Sequence, residues 1–275
     1  MAVEHHCACT SAAPHHCSAP GMGVKGLAPL LRSSKHLEHT LDDPRLKGQR
    51  VGVDASIFLH QCVNRAEGAW QVTAVPKQPV KAVEDVFMSL VRAAAANNRG
   101  IQLVFVFDGK RPPSKEAENE SRAAKVEAGK RELEELCGQG SNRANLKQVE
   151  RARKKAATVT EDMVALAVQV LKAAGVEVMG APFEADWQLA FLEGVGYTQG
   201  TITNDTDLFP LGSRLLVTQL EVAGGRCNIV DRADVMGPLG SLSFCNGIER
   251  AVGVFCSLLG TDYLPRVGRL VGSSD

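Results

Sequence analysis

Leu103-Val104-Phe105-Val106-Phe107 is an unbroken apolar run of strand length that ends directly in Asp108. A run this uniform is the pattern of a strand covered on both faces, as in a parallel sheet flanked by helices. Upstream, Arg50-Val51-Gly52-Val53-Asp54 reads the same way, preceded by the turn-forming Asp42-Asp43-Pro44 and Lys47-Gly48 and closed by an acid. Between the two, residues 80–98 place Val83, Val86, Phe87, Leu90, Val91 and Ala94 on one helical stripe and stop at Asn97-Asn98-Arg99-Gly100. Downstream, Val176-Glu177-Val178-Met179 predicts a third strand, Thr201-Ile202-Thr203 a fourth and residues 214–218 a fifth. A helix entered through Pro182-Phe183-Glu184-Ala185-Asp186 carries Leu189, Ala190 and Leu192. This alternation predicts an α/β fold with a mostly parallel central sheet and helices on both faces.

The segment from Lys110 to Lys155 has a different character, with thirteen Lys or Arg against eight Glu and almost no large apolar residues. The pattern predicts helices over 113–137 and 144–174, interrupted at Gly138-Gln139-Gly140-Ser141-Asn142. Only the end of the second carries a core face, through Met163, Ala167, Val170, Leu171 and Ala174, after an N-cap at Thr160 backed by Glu161 and Asp162. The rest of this region is therefore expected to project from the core.

Four predicted strands run straight into acids: Asp54, Asp108, Glu184 with Asp186, and Asp205 with Asp207. In a parallel sheet those ends share one edge, the edge where open α/β folds place ligands. Two carboxylates about 4 Å apart at an effective dielectric near 20 repel by roughly 4 kcal/mol, so such a group demands protons or bridging cations. Oxygen-only donors without a nearby His favour Mg²⁺ or Mn²⁺ over zinc, and a group this large could hold two ions, the arrangement used for phosphodiester hydrolysis. The Asp205-x-Asp207 pair is the most pointed signal, because residues i and i+2 of an extended segment face the same way. A single Asp after a strand is more often a helix cap or turn former; the repetition at four strand ends is what outweighs that reading.

Several ordered motifs carry a resemblance. Met22-Gly23-Val24-Lys25-Gly26-Leu27, Val53-Asp54-Ala55-Ser56, the stretches 106–115 (VFDGKRPPSK) and 181–192 (APFEADWQLAFL), Thr203-Asn204-Asp205-Thr206-Asp207-Leu208 and Leu258-Leu259-Gly260-Thr261-Asp262-Tyr263-Leu264 follow one another in order. Over roughly residues 22–263 the chain resembles the XPG/flap-endonuclease family of structure-specific 5′ nucleases, and within it the exonuclease 1 branch. The resemblance implies a PIN-like 5′-nuclease fold with a projecting helical arch, two Mg²⁺ ions (Mn²⁺ substituting), and metal-holding acids at Asp54, Asp108, Glu184, Asp186, Asp205, Asp207 and Asp262. It also implies a basic pair, Lys115 and Arg122, at the base of the arch, and three DNA-contacting residues, Gly23, Lys25 and His60, the last stacking on the displaced terminal nucleotide. The implied activity is 5′→3′ exonuclease or 5′-flap endonuclease action on DNA in nuclear repair or replication. The implied partner is DNA with a 5′ end or flap beside a duplex junction, bound by a monomer away from any membrane. A catalytically weak DNA-binding or regulatory fragment of such a nuclease is the alternative.

Both ends depart from that pattern. Residues 1–21 hold four of the seven His and three of the eight Cys, in His5-His6-Cys7-Ala8-Cys9 and His15-His16-Cys17, within an Ala, Ser and Pro-rich stretch. Such a stretch could ligate zinc, but it lacks apolar residues to pack around a metal and is expected to be a disordered extension ahead of a catalytic domain over 22–275, with Met22 a candidate start. The other five Cys are isolated, as in a reducing compartment. At the far end, Val267-Gly268-Arg269-Leu270-Val271-Gly272 matches poorly the Gly-rich loop and helix that grip duplex DNA in the family, so that grip is expected to be truncated. No sliding-clamp motif is visible.

Composition sets the remaining bounds. An apolar share of 44% and a charged share of 23% describe an ordinary globular protein, and no run reaches the length of a membrane-spanning helix. Thirty-one bases against 31 acids give a net charge of zero, which alone argues against nucleic acid. Setting aside the seven candidate ligands leaves 24 acids against 31 bases, so the neutral total averages an acidic site and a basic remainder. The 110–155 segment supplies +5 of that excess, enough for several phosphate contacts and a marked salt dependence.

Overall fold

The protein is described by a computed structural model, which defines residues 39–66, 79–138, 146–156 and 158–239. Among the described residues, seven strands form one sheet: β1 (His39–Thr40), β2 (Arg50–Asp54), β3 (Gln102–Phe107), β4 (Glu177–Gly180), β5 (Thr201–Ile202), β6 (Leu215–Glu221) and β7 (Arg226–Asp231). Their order is β1-β7-β6-β5-β2-β3-β4. The block β4-β3-β2-β5-β6 is parallel throughout, whereas β7 pairs antiparallel with both β6 and β1. The expected mostly parallel sheet is present, with an antiparallel edge that the sequence reading did not anticipate.

The apolar runs explain why the parallel strands lie in the middle. Leu103, Phe105 and Phe107 of β3 join Val51 and Val53 in one core cluster, covered by α1 (Ala55–Ala66), α2 (Pro79–Ala95) and α5 (Glu161–Ala173). Val104 and Val106 face the other way, into a second cluster with Ala185, Leu189 and Leu192 of α6 (Ala185–Gly194) and with Leu208, Phe209, Leu216 and Val230. Period-two alternation thus serves two cores at once. Phe87 is the hub of the first, its ring centroid 5.5 Å from that of Phe105, 6.2 Å from that of Phe58 and 6.3 Å from that of Phe107. Five of the six stripe residues foreseen on α2, namely Val83, Val86, Phe87, Leu90 and Ala94, are fully buried. The chain leaves that helix through a 3-10 turn at Ala96–Asn98 in which Asn97 and Asn98 both take left-handed backbone. Asn tolerates that region better than most residues, which is what made the stop legible.

The basic segment differs from its expected form. A 3-10 turn at Pro113–Lys115 leads into α3 (Glu116–Gly138), followed by α4 (Leu146–Ala156). The helix predicted over 144–174 is two helices, because Thr160 starts α5 afresh, its Oγ1 accepting from Met163 N–H at 3.3 Å. Neither α3 nor α4 contributes to the two core clusters, so the pair stands off the sheet as expected of an arch. The two helices are held to each other: a Cβ added to Gly129 would sit 2.6 Å from Lys155 Cβ, and Lys155 Nζ lies 2.8 Å from Glu132 Oε2. Another helix, α7 (Arg232–Leu239), follows β7. Among the described residues, no helix is long and apolar enough to cross a membrane. Among the described residues, the exposed large apolar side chains are Phe183, Trp187, Phe191 and Val195, at four-residue spacing from just before α6 to just after it.

Candidate metal centre at the carboxyl edge of the sheet

Each acid read from the strand ends within the described residues reaches the same edge. Asp54 is the last residue of β2 and is 3% exposed. Asp108 follows β3, on the neighbouring parallel strand. Glu184 occupies the N-cap position of α6 and Asp186 its first turn. Asp205 and Asp207 are buried in the loop after β5, the neighbour of β2 on its other side. They do not lie in an extended segment: β5 ends at Ile202, and Asp207 N–H turns back to donate to Asp205 Oδ1 at 2.9 Å. The turn, rather than strand alternation, brings the two carboxylates to the cleft.

A close backbone crossing draws Asp108 and Glu184 together. Gly109 N–H donates to Phe183 O, and Lys110 N–H donates to Pro182 O at 3.2 Å. A Cβ at Gly109 would lie 1.9 Å from Ala181 O, so only glycine permits this approach. Ala185 N–H, at the start of α6, then donates to Asp108 Oδ1 at 2.8 Å. A carboxylate at a helix N-terminus is favoured by the free N–H groups there.

Two residues that sequence reading gave no role complete the edge. Ser56 Oγ donates to Asp108 Oδ2 at 2.7 Å while Ser56 N–H donates to Asp54 Oδ1 at 2.9 Å. Thr203, fully buried, donates through Oγ1 to Asp54 Oδ2 at 3.2 Å and accepts from Asp205 N–H at 3.0 Å. Both lie within two residues of a candidate ligand, and that proximity of hydroxyl to acid is the signal that could have found them.

The electrostatics are those of crowded like charges. Burial, then the charge of Asp108, raises the Asp54 carboxyl to about 7, with Asp205 adding to the push and the bonds from Ser56 and Thr203 opposing it. Asp186 is held well above the usual carboxylate range by burial and by the charges of Asp205, Asp54, Asp108 and Asp207. Five carboxylates from four parts of the chain, Asp54, Asp108, Asp186 and the Asp205–Asp207 loop, therefore sense one another. Lys115 offsets part of this charge, its Nζ 2.8 Å from Glu184 Oε1. Arg122 is exposed on α3, and His60 lies on α1. The His60 imidazole is held below its ordinary range by burial and by Arg122, against the pull of Asp108.

Asp262, Gly23, Lys25 and the extension 1–21 lie outside the described residues. Among the described residues, no three His, Cys, Asp or Glu side chains are already drawn around one point as a closed cation cage. The donor set nonetheless fits a hard divalent cation: oxygen alone, partly desolvated, and carrying a mutual repulsion that bound positive charge would relieve.

Fold and site together define an α/β protein of PIN-like 5′-nuclease architecture. Residues 22–128 match the XPG N-terminal domain and residues 175–262 the XPG I-region, together more than half of the chain. The chain belongs to the XPG/flap-endonuclease family. It is 30% identical over 250 residues to flap endonuclease 1 of Aedes aegypti, with 88% of this chain and 62% of that protein covered. It is 33% identical over 210 residues to flap endonuclease 1 of Glossina morsitans morsitans, covering 74% and 52%. The chain thus spans about half to three fifths of the length of these relatives. Among solved structures, the catalytic core of Rad2 in complex with DNA substrate superposes with a TM-score of 0.61 at 22% identity, covering 91% of this chain and 64% of that one. Human GEN1 in complex with Holliday junction DNA gives 0.54 at 20% identity, covering 89% and 51%. The stretch between the two matched regions holds the end of α3, α4 and α5.

Proposed function

We propose that this protein is a Mg²⁺-dependent 5′ nuclease that hydrolyses DNA phosphodiester bonds near a 5′ end or flap junction, acting in the nucleus in repair or replication. The observation that carries the reading is the placement of the candidate acids at the carboxyl ends of neighbouring parallel strands, with Ser56 and Thr203 bridging Asp54, Asp108 and Asp205 by hydrogen bonds. Asp54, Asp108, Glu184, Asp186, Asp205 and Asp207, joined by Asp262, would hold two ions, with Mn²⁺ able to replace Mg²⁺. Bound there, the ions supply Lewis acidity and an activated water for in-line displacement at phosphorus.

The chain's own side chains do the rest. Lys115 and Arg122 face the scissile phosphate and neutralise charge that builds on its oxygens, a contribution that grows in a partly desolvated cleft. His60 stacks on the terminal nucleotide, as the exonuclease 1 branch would have it, while Gly23 and Lys25 approach the substrate strand. The bases on α3 and α4 hold single-stranded 5′ DNA through its phosphates, so binding weakens steeply with salt. A monomer suffices for this chemistry.

The experiment is cleavage of labelled 5′-flap and recessed-end DNA in Mg²⁺ by the full chain and by Asp108→Ala and Asp205→Ala. Loss of cleavage in both variants supports the reading, and equal cleavage by all three proteins sinks it. Retarded mobility of DNA with no Mg²⁺-dependent turnover on any substrate would instead mark a binding or regulatory fragment.

A further inference from the structure

The hydroxyls of Ser56 and Thr203 stand on opposite sides of Asp54, one toward β3 and one toward β5. Thr203 has a single O–H, spent on Asp54 Oδ2 at 3.2 Å, and its oxygen accepts Asp205 N–H at 3.0 Å, so its side chain is fixed from both directions. Ser56 likewise gives its N–H to Asp54 Oδ1 at 2.9 Å and its O–H to Asp108 Oδ2 at 2.7 Å. With Ala185 N–H on Asp108 and Asp207 N–H on Asp205, an unbroken row of hydrogen bonds crosses three neighbouring strand ends. Carboxylates that repel would otherwise swing apart; each hydroxyl holds one oxygen of a carboxylate while leaving lone pairs free for a cation. A carboxylate presents about four such sites, and one bond from a hydroxyl uses one of them.

We propose that Thr203 and Ser56 are positioning residues that set the spacing of Asp54, Asp108 and Asp205 before any cation arrives, so that their loss lowers divalent-cation affinity rather than merely loosening the fold. The inference rests on the metal-dependent reading above. Partners of ligating carboxylates typically change metal affinity by about 10–100-fold when removed. Thr203→Val keeps the branched shape and deletes the O–H, while Thr203→Ser keeps the O–H and deletes the methyl. Ser56→Ala, at a less buried position, covers the case in which the valine variant does not fold.

The test is the MgCl₂ concentration giving half-maximal thermal stabilisation of the full chain, read without DNA. Thr203→Val and Ser56→Ala are expected to raise that midpoint about tenfold or more, with Thr203→Ser within about threefold of wild type. Unchanged midpoints, with a lower unfolding temperature in EDTA, would show the hydroxyls to be merely structural and overturn the inference while leaving the metal reading intact. A wild-type chain whose unfolding temperature ignores MgCl₂ would overturn both, which distinguishes the two failures.

Discussion

Lys115 Nζ and Glu184 Oε1 lie 2.8 Å apart, so the base proposed to face the phosphate is ion-paired with an acid proposed to hold a cation. The pair is largely enclosed, with side-chain exposures of 9% and 19%, and the carboxylate anchors the ammonium of Lys115 beside the other acids of the cleft. Replacing it with an apolar side chain of similar length removes the cation at little cost in shape. Lys115→Met is expected to lower single-turnover flap cleavage by about 100-fold, the usual scale for one lost electrostatic contact to a transition state, while circular dichroism stays native. Cleavage within about threefold of wild type would place Lys115 outside the chemistry.

The arch offers a test that separates activity from stability. Gly129 allows α3 to lie against α4, where a Cβ would meet Lys155 Cβ at 2.6 Å and Ala156 N at 2.7 Å. Gly129→Val must push the helices apart. Because neither helix enters the two core clusters, global unfolding is expected to move by less than about 3 °C. Cleavage of 5′-flap DNA is expected to fall by about 100-fold through misplacement of the bases that hold the strand. A large drop in unfolding temperature would show that the pair is part of the cooperative core.

How much of this was legible in the sequence follows from the type of signal each element carries. The strands β2 and β3 announce themselves because burial on both faces leaves uniform apolar runs, and each acid at a strand end marks where the buried run stops. The hairpin strand β7 does not, since Arg226-Cys227-Asn228-Ile229-Val230-Asp231 interleaves polar residues, although Gly224-Gly225 ahead of it is a turn signal. The two-residue β1 is too short for any period. Asp205 and Asp207 were found through the wrong geometry, an extended segment in place of a turn. Ser56 and Thr203 stand two residues from Asp54 and Asp205, a spacing that hints at a local bond, but their partners across strands, Asp108 and Asp54, are tertiary facts that no spacing shows.

Glu193 was missed for the same reason and gives a further prediction. It is 4% exposed on the buried face of α6 and accepts from Ser213 Oγ at 2.6 Å, Arg214 N–H at 2.5 Å, Leu215 N–H at 3.0 Å and Thr201 Oγ1 at 3.3 Å. One carboxylate thus ties α6 to the starts of β5 and β6. Glu193→Ala strands several buried donors and is expected to cost about 3–5 kcal/mol in urea unfolding, with Glu193→Gln losing less because it keeps one acceptor oxygen. A loss below about 1 kcal/mol for the alanine variant would mean that water or a rearranged loop replaces the carboxylate.

The raised Asp54 carboxyl makes the metal-free chain sensitive to pH in a direction opposite to that of a salt-bridged acid. In the unfolded chain this group releases its proton near pH 3.9, whereas in the folded chain burial and Asp108 hold it to about 7. Between roughly pH 4 and 7 the folded state therefore keeps protons that the unfolded state has lost, and stability falls as pH rises through that window. Asp186 is displaced the same way, and His60, held low, works in the opposite sense as pH falls through about 6.5. Subtracting the curve of Asp54→Asn removes the His60 contribution and the part of the Asp186 shift that does not come from Asp54, because the amide resembles the protonated acid and does not titrate. In EDTA, the unfolding temperature of wild type relative to Asp54→Asn is expected to drop by roughly 5–10 °C from pH 5 to pH 8, since each unit of displacement is worth about 1.4 kcal/mol. Saturating Mg²⁺ should reverse the trend, because the ionised carboxylates that repel one another are the form a cation binds. A difference curve that stays flat in EDTA would show that Asp54 ionises like an exposed acid and that the carboxylates at the sheet edge are too far apart to act as one site.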